Sequence, residues 1–503
     1  MKKFKDVEAT RKSYHKDPNL NSVHRSSLLV PEISGTTAEI SFLNHFLLKR
    51  NHQKIACVIT AIGTDGRKIE SRLHHITEPK VYRFVLTGMV EKPVSNYSVE
   101  FYSPDNLFIP FPAVMVNHKN KQFLNQVHSF NRVLNDIFEN DDINTHQVKE
   151  SSVDLILNKS TDTCLLFTAG PLGCKGALDI EIYSDHNIYK KSQQLDVPRF
   201  GTKKISIKDT FNTLPDGMKG VLKASQPSQL LFYGRLLSGQ WTNDGIFSAN
   251  HTYYDSSTVE EYWDDDRPSK RCYPFFKKLS NIVRIYPIQS PSTLDVSVIP
   301  RDKDGKQIKE LHIGKVQSPS GSYLDFNIND LIEQDKIEPE RVSSFEIVAK
   351  ADPGKMPTRI GHQLVYGGGG LESSINVVLN NPNKFVPENA KSFKWGQTVI
   401  GEEFDTFVGI VADCSQNPNI EYQTAKVTFY DSNGKLAERN WNIPNGSSVT
   451  FELGDELRSE ISNYDKNSLE YIWCTVESEK HGLDFCSVAY NKISRHCSGD
   501  HGF

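Results

Sequence analysis

Four segments of this chain share one strand-and-turn pattern, and this repetition constrains the fold more than any other feature. Each segment, or unit, opens with an alternating strand that runs into a polar turn. The four openings are IACVITAIGTDGRK, LDIEIYSDHNIYKK, LDVSVIPRDKDGKQ and AKVTFYDSNGKLAE. Alternation of apolar and polar residues is typical of a half-buried strand, and Asp-Gly or Asn-Gly pairs supply the positive φ of a tight turn. The turn positions Asp65, Asp185, Asp304 and Asn433 recur at about 120-residue intervals, the size of a small domain.

Three more strands follow each opening. The second strands are KVYRFVL, TKKISIKD, SYLDFNIND and SSVTFELGD, the third strands are NYSVEFYS, MKGVLKAS, VSSFEIVAKA and SLEYIWCTVES, and the closing strands are FIPFPAVMV, SQLLFYG, GHQLVYG and LDFCSVAYN. Short strands with turn residues between them and few helical stretches are typical of antiparallel sandwiches. The sequence therefore predicts an all-β protein of four tandem antiparallel β-sandwich domains with short helices and linkers.

The composition shifts between units predict the domain boundaries. These are an N-terminal tail 1–35, a first sandwich 36–129, a bridging helix or linker 130–150, a second sandwich 151–256, an acidic linker 257–275, a third sandwich 276–380, a linker 381–395 and a fourth sandwich 396–503. The bridging helix is predicted over FNRVLNDIFEN, whose apolar residues recur at helical spacing. DLIEQDKI and DELRSEISN are predicted as short helices between the second and third strands of units three and four.

Composition excludes several classes of function. The chain has 58 basic and 62 acidic residues and a net charge of -4, so nothing favours nucleic-acid binding. No stretch approaches the ~18 apolar residues of a membrane span, and the charged N-terminus does not resemble a secretory signal. The eight cysteines form no CxxC pair and are interpreted as reduced core thiols. We expect a cytoplasmic protein and predict no cofactor and no metal.

The second unit resembles the small β-sandwich domain of the sensory-rhodopsin transducer family over residues 178–237. The matching positions are Tyr183, Ser184, Asp185, Val197, Pro198, Thr202, Lys203, Ser225, Pro227 and Arg235. Members of that family are soluble single-domain proteins that assemble as tetramers and act by binding partners. The resemblance implies a four-unit chain that imitates such an assembly.

Polar and aromatic side chains concentrate after the closing strand of unit two. The candidate ligand-binding residues are Arg235, Trp241, Asn243, Asp244, His251, Tyr253, Tyr254 and Asp255. Aromatic rings stack on the apolar faces of sugars, and planar polar groups bind hydroxyls. The same residue types are also common at protein interfaces. The segment therefore predicts a surface for a carbohydrate or for a protein partner.

A histidine followed by an aromatic residue recurs after three of the four units. His128 precedes Phe130, His251 precedes Tyr253, and His501 precedes Phe503, whereas Asn376 takes the place of the histidine in unit three. Such a repeated element is interpreted either as a structural element, in which the aromatic ring docks on the sandwich, or as a repeated binding site. A metal site at His251 with Asp244 and Asp255, or at Cys497 with His496 and His501, is a weaker alternative because paired-ligand spacing is missing.

Two hypotheses about function follow. The first is a non-enzymatic multidomain binding or assembly protein that recognises a carbohydrate or a protein partner, with self-association left open. The alternative is a carbohydrate-active enzyme with its site around Trp241–Asp255. The first explains why no catalytic motif occurs, and the second explains why unit two alone carries the full set of polar and aromatic residues.

Overall fold

The chain folds into four β-sandwiches. A computed structural model describes residues 24–103, 113–128, 131–133, 150–184, 187–252, 262–263, 267–285, 292–317, 323–353, 355–357, 360–380, 389–465 and 468–503. Within these residues every pairing between strands is antiparallel, and each sandwich consists of two four-stranded sheets. The predicted fold class is confirmed.

Unit one shows the strand order that all four units share. Its elements are β1 (His24–Pro31), β2 (Thr37–Leu43), α1 (His45–Arg50), β3 (Ile55–Gly63), β4 (Lys68–Ile76), β5 (Val81–Val85), β6 (Val94–Ser103), β7 (Met115–Lys119) and β8 (Leu124–His128). One sheet has the order β1-β6-β3-β4 and the other β5-β2-β7-β8. Alternate residues of β3, such as Cys57 and Ile59, are buried in the core between the sheets, as the alternating pattern of the sequence requires.

Unit two repeats this order with one inserted strand. Its elements are β10 (Glu150–Ile156), β11 (Thr161–Thr168), β12 (Cys174–Ser184), β13 (Asn187–Val197), β14 (Thr202–Ser206), α2 (Ile207–Thr210), β15 (Lys219–Ser225), β16 (Phe232–Gly234), β17 (Leu237–Thr242) and β18 (Phe247–His251). The sheets are β10-β15-β12-β13 and β14-β11-β17-β18. The inserted β16 pairs instead with β9 (Asn131–Val133).

Units three and four have the same two sheets. Unit three contains β20 (Ser269–Pro274), β21 (Ser280–Ile285), β22 (Thr293–Arg301), β23 (Leu311–Gln317), β24 (Leu324–Asn327), α3 (Ile328–Gln334), a 3-10 turn (Pro339–Arg341), β25 (Ser344–Lys350), β27 (Gly361–Gly367) and β28 (Ser373–Val378), with a short pair formed by β19 (Tyr262–Trp263) and β26 (Met356–Pro357). Unit four contains β29 (Ser392–Ile400), β30 (Phe404–Ala412), β31 (Tyr422–Asp431), β32 (Gly434–Pro444), β33 (Ser448–Glu452), α4 (Leu453–Glu456), β34 (Glu470–Ser478), β35 (Leu483–Asn491) and β36 (Cys497–His501). The sheets are β20-β25-β22-β23 and β24-β21-β27-β28 in unit three, and β29-β34-β31-β32 and β33-β30-β35-β36 in unit four.

The sandwiches begin earlier than the predicted boundaries. Strands β1, β20 and β29 start inside the segments 1–35, 257–275 and 381–395, which the sequence assigned to a tail and two linkers. Each is the first strand of its unit and lies at a sheet edge, where polar residues are tolerated and the alternating signal is weak. The predicted bridging helix is wrong over Asn131–Val133, which forms strand β9. Its Asn131 side chain accepts a hydrogen bond from Leu29 N at 2.8 Å, and 134–149 lies outside the described residues.

The four units close into a ring. The last strands meet in cyclic order, because β8 contacts β18, β18 contacts β28, β28 contacts β36 and β36 contacts β8. Side chains join neighbouring strands: Asn125 Oδ1 accepts from Ala249 N at 2.6 Å, and Asn250 Nδ2 donates to Ser374 O at 2.8 Å. Between units three and four, Cys497 N donates to Leu371 O at 2.8 Å.

Two glycine turns of the repeat dock on the next unit in the ring. Gly66 and Gly305 have φ of +73° and +76°, as the predicted tight turns require. A Cβ on Gly66 would lie 2.5 Å from the carbonyl oxygen of Arg199 in unit two, and a Cβ on Gly305 would lie 2.0 Å from that of Asn445 in unit four. Glycine is therefore required at both positions by the backbone conformation and by the approach of the neighbouring unit.

Candidate functional site

The ring centre gathers the repeated histidines. His128 ends β8, His251 ends β18 and His501 ends β36, so ring closure brings three units together at these side chains. The ring centroid of His128 lies 4.3 Å from that of His251 and 5.0 Å from that of His501. Phe503 adds an edge contact, with its ring centroid 5.7 Å from that of His128. The histidines thus lie in equivalent strands, but they meet between units and do not dock separately on their own sandwiches.

Asp500 links two of these histidines through hydrogen bonds. Its Oδ2 accepts from the backbone N of His128 at 2.9 Å and lies 2.9 Å from His128 Nδ1, while Oδ1 accepts from His501 N at 2.8 Å. Burial favours the neutral acid, but the charge of His128 and its hydrogen bond outweigh burial, so the pKa of Asp500 lies below its ordinary value. A carboxylate at this position joins the first unit to the fourth.

His251 and His501 make the same local contact. Nδ1 of His251 lies 3.2 Å from Thr252 O, and Nδ1 of His501 lies 2.9 Å from Gly502 O. A carbonyl oxygen only accepts, so Nδ1 carries the proton in both rings. Burial lowers the pKa of His501 to about 4. Burial, together with the charges of His128 and Arg235, holds the pKa of His251 well below its ordinary value. Both imidazoles are therefore neutral at pH 7.

Arg235 is the predicted site residue that remains beside His251. Its Nη1 lies 3.5 Å from His251 Nε2, which suits a guanidinium facing the lone pair of the neutral ring. Its Nε donates to the hydroxyl of Tyr233 at 3.4 Å. The pair therefore forms one polar contact at the ends of β17 and β18.

A polar cavity adjoins the histidines between units two and three. Its volume is about 10 Å³, close to the minimum for one water molecule. The lining includes His251 and is otherwise mostly hydroxyl, amide and carboxylate groups, from Asp154, Ser238, Gln240, Ser248, Asn250, Gln363, Glu372, Ser374 and Asn376. Three atoms of this lining, Ser238 Oγ, Gln363 Oε1 and Ser374 Oγ, are buried without a hydrogen-bond partner among the described residues.

A buried ion cluster forms one side of the cavity. Arg284 of unit three lies 2.7 Å from Asp154 of unit two, 3.3 Å from Asp325 and 3.8 Å from Glu372, measured between nitrogen and oxygen atoms. Burial raises the pKa of Glu372, although the charge of Arg284 opposes this. Arg284 therefore pairs with one carboxylate of unit two, Asp154, and with two of its own unit, Asp325 and Glu372.

Trp241 is a core residue of the junction between units one and two. It lies in β17 and is only 4% exposed. Its indole stacks on Phe247 with ring centroids 4.9 Å apart, and Phe247 contacts Phe123 of unit one at 5.0 Å. The indole is covered by protein, so it offers no open face on which a sugar could stack.

The remaining predicted ligand residues do not share one surface with His251. Asn243 and Asp244 lie in the exposed turn of the β17–β18 hairpin, where Asn243 Nδ2 donates to Lys159 O at 3.2 Å. Strand pairing from Leu237–His251 to Trp241–Phe247 separates this turn from His251 by about 13 Å at the rise of a strand. Tyr253, Tyr254, Asp255 and Phe130 lie outside the described residues.

The histidine groupings suggested for a metal are not formed where the structure is described. Asp244 lies at the far end of the hairpin from His251, and His496 Nε2 is bonded to Phe247 O at 2.8 Å. A different group assembles instead: the ligand atoms of His128, Asp500 and His501 lie within 4.8 Å of one another. Sequence reasoning missed Asp500, although Asn250 and Asp500 both directly precede a repeated histidine.

The comparisons with known proteins add no family. No family model and no curated protein matches the chain. The tetra-tandem repeat in the extending region of a large adhesion protein is 9% identical, over 94% of this chain and 97% of that chain, with a TM-score of 0.09. The M60 catalytic domain with the CBM51-1 and CBM51-2 domains from Clostridium perfringens ZmpB is 11% identical, over 96% of this chain and 55% of that chain, with a TM-score of 0.13. Scores this low carry no argument about fold or function.

None of the helices in the described part of the chain has the length and apolar character that a membrane crossing needs.

Proposed function

We propose that this chain is a non-enzymatic binding protein with its ligand site between units two and three, and that the ligand is a carbohydrate. The observation that carries the proposal is the set of buried, unpartnered atoms in the cavity, Ser238 Oγ, Gln363 Oε1 and Ser374 Oγ. A buried polar group without a partner costs about 1–3 kcal/mol. A ligand that supplies the missing hydrogen bonds recovers this energy on binding.

The chemistry of the lining favours hydroxyl groups. A hydroxyl donates one hydrogen bond and accepts others, so it pairs with Gln363 Oε1 and with either serine. Glu372 and Asp154 also line the cavity, and ionised carboxylates only accept. An anionic ligand would therefore meet hydrogen-bond acceptors and negative charge. A hydroxyl group can instead donate to the carboxylate and amide oxygens and accept from the serine hydroxyl groups.

The cavity size decides how much of a ligand enters. A volume of about 10 Å³ admits one hydroxyl group, so the rest of the sugar lies outside the enclosed part. Recognition then depends on hydrogen bonds, because the Trp241 ring is buried.

The arrangement of titratable groups favours binding over catalysis. His128 and Asp500 are bonded to each other, and His251 and His501 each use Nδ1 on a carbonyl oxygen. These side chains hold the last strands of the units in register, and the enclosed space beside them does not accommodate a glycosidic bond. The protein therefore acts as a rigid ring that presents a binding site.

One observation favours a second candidate, glycoside hydrolysis. Asp154 and Glu372 both line the cavity, and burial raises the pKa of Glu372, as in a general acid. Two carboxyl groups are the usual catalytic pair of glycosidases. Turnover of aryl glycosides that disappears in Glu372→Gln, while sugar binding persists, would support the enzyme and contradict the non-enzymatic proposal.

The resemblance to the sensory-rhodopsin transducer family remains a proposal of the same kind. Four units with one strand order in a closed ring support the idea that a single chain imitates a tetramer. A cytoplasmic location is supported by the eight free cysteines, since disulfides are rare in reducing compartments.

The test of the binding site is a Ser238→Ala variant. Glycan-array screening identifies a sugar, and calorimetry then compares its affinity for the wild type and the variant. Because Ser238 Oγ has no partner in the protein, its removal should not lower the melting temperature, while it should weaken the affinity about tenfold, the equivalent of 1.4 kcal/mol. Asn243→Ala, at the far end of the same hairpin, is the matched control and should bind normally.

Two outcomes count against the proposal. If Asn243→Ala abolishes sugar binding and Ser238→Ala does not, the ligand binds at the hairpin turn and the cavity assignment is wrong. If no sugar binds and the full chain instead captures a protein partner or associates with itself, the carbohydrate is the wrong ligand class.

A further inference from the structure

A second polar cluster lies between units three and four, away from the ring-centre histidines. Cys272 and Glu346 are cross-strand partners in β20 and β25, and Cys414 follows strand β30 of unit four by two residues. The sulfurs of Cys272 and Cys414 are 3.4 Å apart, and Cys414 Sγ is 3.8 Å from Glu346 Oε1. The three ligand atoms lie within 4.8 Å of one another.

These spacings are those of a tetrahedral metal site. With Zn–S of about 2.3 Å and Zn–O of about 2.1 Å, tetrahedral geometry places two sulfurs about 3.8 Å apart and a sulfur about 3.6 Å from an oxygen. The observed distances of 3.4 and 3.8 Å are close to both values. A disulfide needs a separation of about 2.05 Å, so the two thiols are separate, and thiolates are the ligands that zinc prefers.

The surroundings orient the three side chains toward one point. Glu346 Oε2 accepts from Arg301 Nη2 at 2.5 Å, which leaves Oε1 on the side of Cys414. Asp413 Oδ1 accepts from Cys272 N at 3.2 Å and from Ser415 N at 3.0 Å, so one carboxylate holds both cysteine-bearing segments. Such hydrogen bonds to the ligating groups and their neighbours are typical of metal sites.

The charges balance once a divalent ion is bound. Two thiolates and Glu346 supply three negative charges, while the ion and the Arg301 guanidinium supply three positive charges. Without the ion, a buried thiol pair faces a carboxylate whose second oxygen is already committed to Arg301. A divalent cation is therefore the ligand that this donor set suits.

We propose that Cys272, Cys414 and Glu346 bind a zinc ion that links units three and four. In the described part of the chain the cluster offers three protein ligands, and Cys414 is half-buried, so water takes the fourth position from the solvent side. The ion acts as a cross-link in the ring, because its ligands come from two sandwiches. The site shares no residue with the carbohydrate cavity and stands independently of that function.

Metal analysis of the purified full-length chain tests the site. Elemental analysis should find about one zinc per chain, and Cys414→Ser and Cys272→Ser should each lose it. Cobalt exchanged into the wild type should show sulfur-to-cobalt charge-transfer absorption that is lost in Cys414→Ser. Cys174→Ser, a change at a buried thiol of unit two, is the matched control and should retain both the zinc and the cobalt spectrum.

The same measurements can overturn the proposal. A wild-type chain that neither contains zinc nor binds added zinc excludes the site, as does a mass spectrum that shows a Cys272–Cys414 disulfide in the metal-free protein. Zinc retained in a Cys272→Ser/Cys414→Ser double variant but lost in His501→Gln would place the metal at the ring centre instead. The cobalt spectrum of the wild type does not depend on whether a variant folds, so the absence of sulfur ligation there also refutes the proposal.

Discussion

Nδ1 of His128 lies 2.9 Å from a carboxylate oxygen of Asp500, and this contact joins the first unit to the last. The two residues are separated by 372 positions in the chain. Both side chains are almost fully buried, so the contact is part of the structure of the ring and does not depend on solvent-exposed groups.

Replacing Asp500 with asparagine should destabilise the protein. The amide nitrogen cannot accept, so either His128 or the backbone N of His501 loses its partner, at a cost of about 1–3 kcal/mol. Urea denaturation measures the loss. Asp244→Asn, the same substitution in an exposed turn, should change the free energy of unfolding by less than about 0.5 kcal/mol. Equal effects at the two positions would show that the Asp500 contact contributes nothing.

Trp241→Ala should lower the free energy of unfolding, and any loss of ligand affinity should follow from this loss of stability. The indole is buried against Phe247 and, through it, against Phe123 of unit one. Removing a buried tryptophan side chain costs about 3–5 kcal/mol. Chemical denaturation should therefore show a large loss, while Asn243→Ala two residues away remains close to wild type. A stable Trp241→Ala protein that has lost only ligand affinity would contradict the buried position.

Acid should destabilise the ring in a defined pH window. Burial lowers the pKa values of His118, His496 and His501 to about 4, whereas the unfolded chain takes up these protons near 6.5. Unfolding then binds protons between these values, so stability is full above about pH 6.5 and falls progressively as the pH approaches 4. At the lower end of this window, each of the three histidines has reduced the free energy of unfolding by about 3 kcal/mol.

Urea denaturation at several pH values measures this dependence. His496→Gln should reduce the proton uptake on unfolding by about one, because glutamine can still donate to Phe247 O without titrating. Asn243→Ala, which changes no titratable group, serves as the control and should leave the slope unchanged. The prediction fails if the two variants have the same slope in this window.

The ion cluster between units two and three should show strong coupling. Arg284→Met leaves Asp154 buried without its guanidinium, which costs about 3–5 kcal/mol. The double variant Arg284→Met/Asp154→Leu removes the stranded charge and should recover most of the stability. The exposed pair Lys175 and Asp196, 3.0 Å apart, should show little coupling in the same double-mutant cycle. Additive losses at Arg284 and Asp154 would argue against their ion pair.

The sequence predicted four strands for each unit, whereas the two sheets of each unit contain eight. The openings, second and third strands correspond to strands of the sheets in every unit, because their residues alternate and end in recognisable turns. The first strands lie at sheet edges, and polar sequences such as HRSS at the start of β1 carry no alternating pattern. In unit two the predicted closing strand SQLLFYG contains only the inserted β16, and the strand that completes the sheet is β17.

That displacement explains the error about Trp241. Because the sequence pattern places the closing strand before Arg235, it puts Trp241 after that strand, where a surface residue is expected. In the structure Trp241 lies within β17 and pairs with Asp162 and Phe247. The groupings of His128 with Asp500, and of Cys272 with Cys414, could not be predicted, because they form between units and depend on ring closure.

The docking of Gly66 on unit two and of Gly305 on unit four gives the ring a direction. Each turn contacts a surface of the following unit that is unlike the turn itself. These contacts are therefore head-to-tail, and the two sides of a unit differ. A series of head-to-tail contacts closes into a ring only when the rotations between successive units add up to a full turn; otherwise it continues as an open filament. A chain shortened by one unit would expose one glycine turn and one surface on which such a turn docks. Another molecule of the same chain could cover each of them with its complementary end. Because the fourth unit meets the first through β36 and β8, the described residues close this series of contacts within one chain.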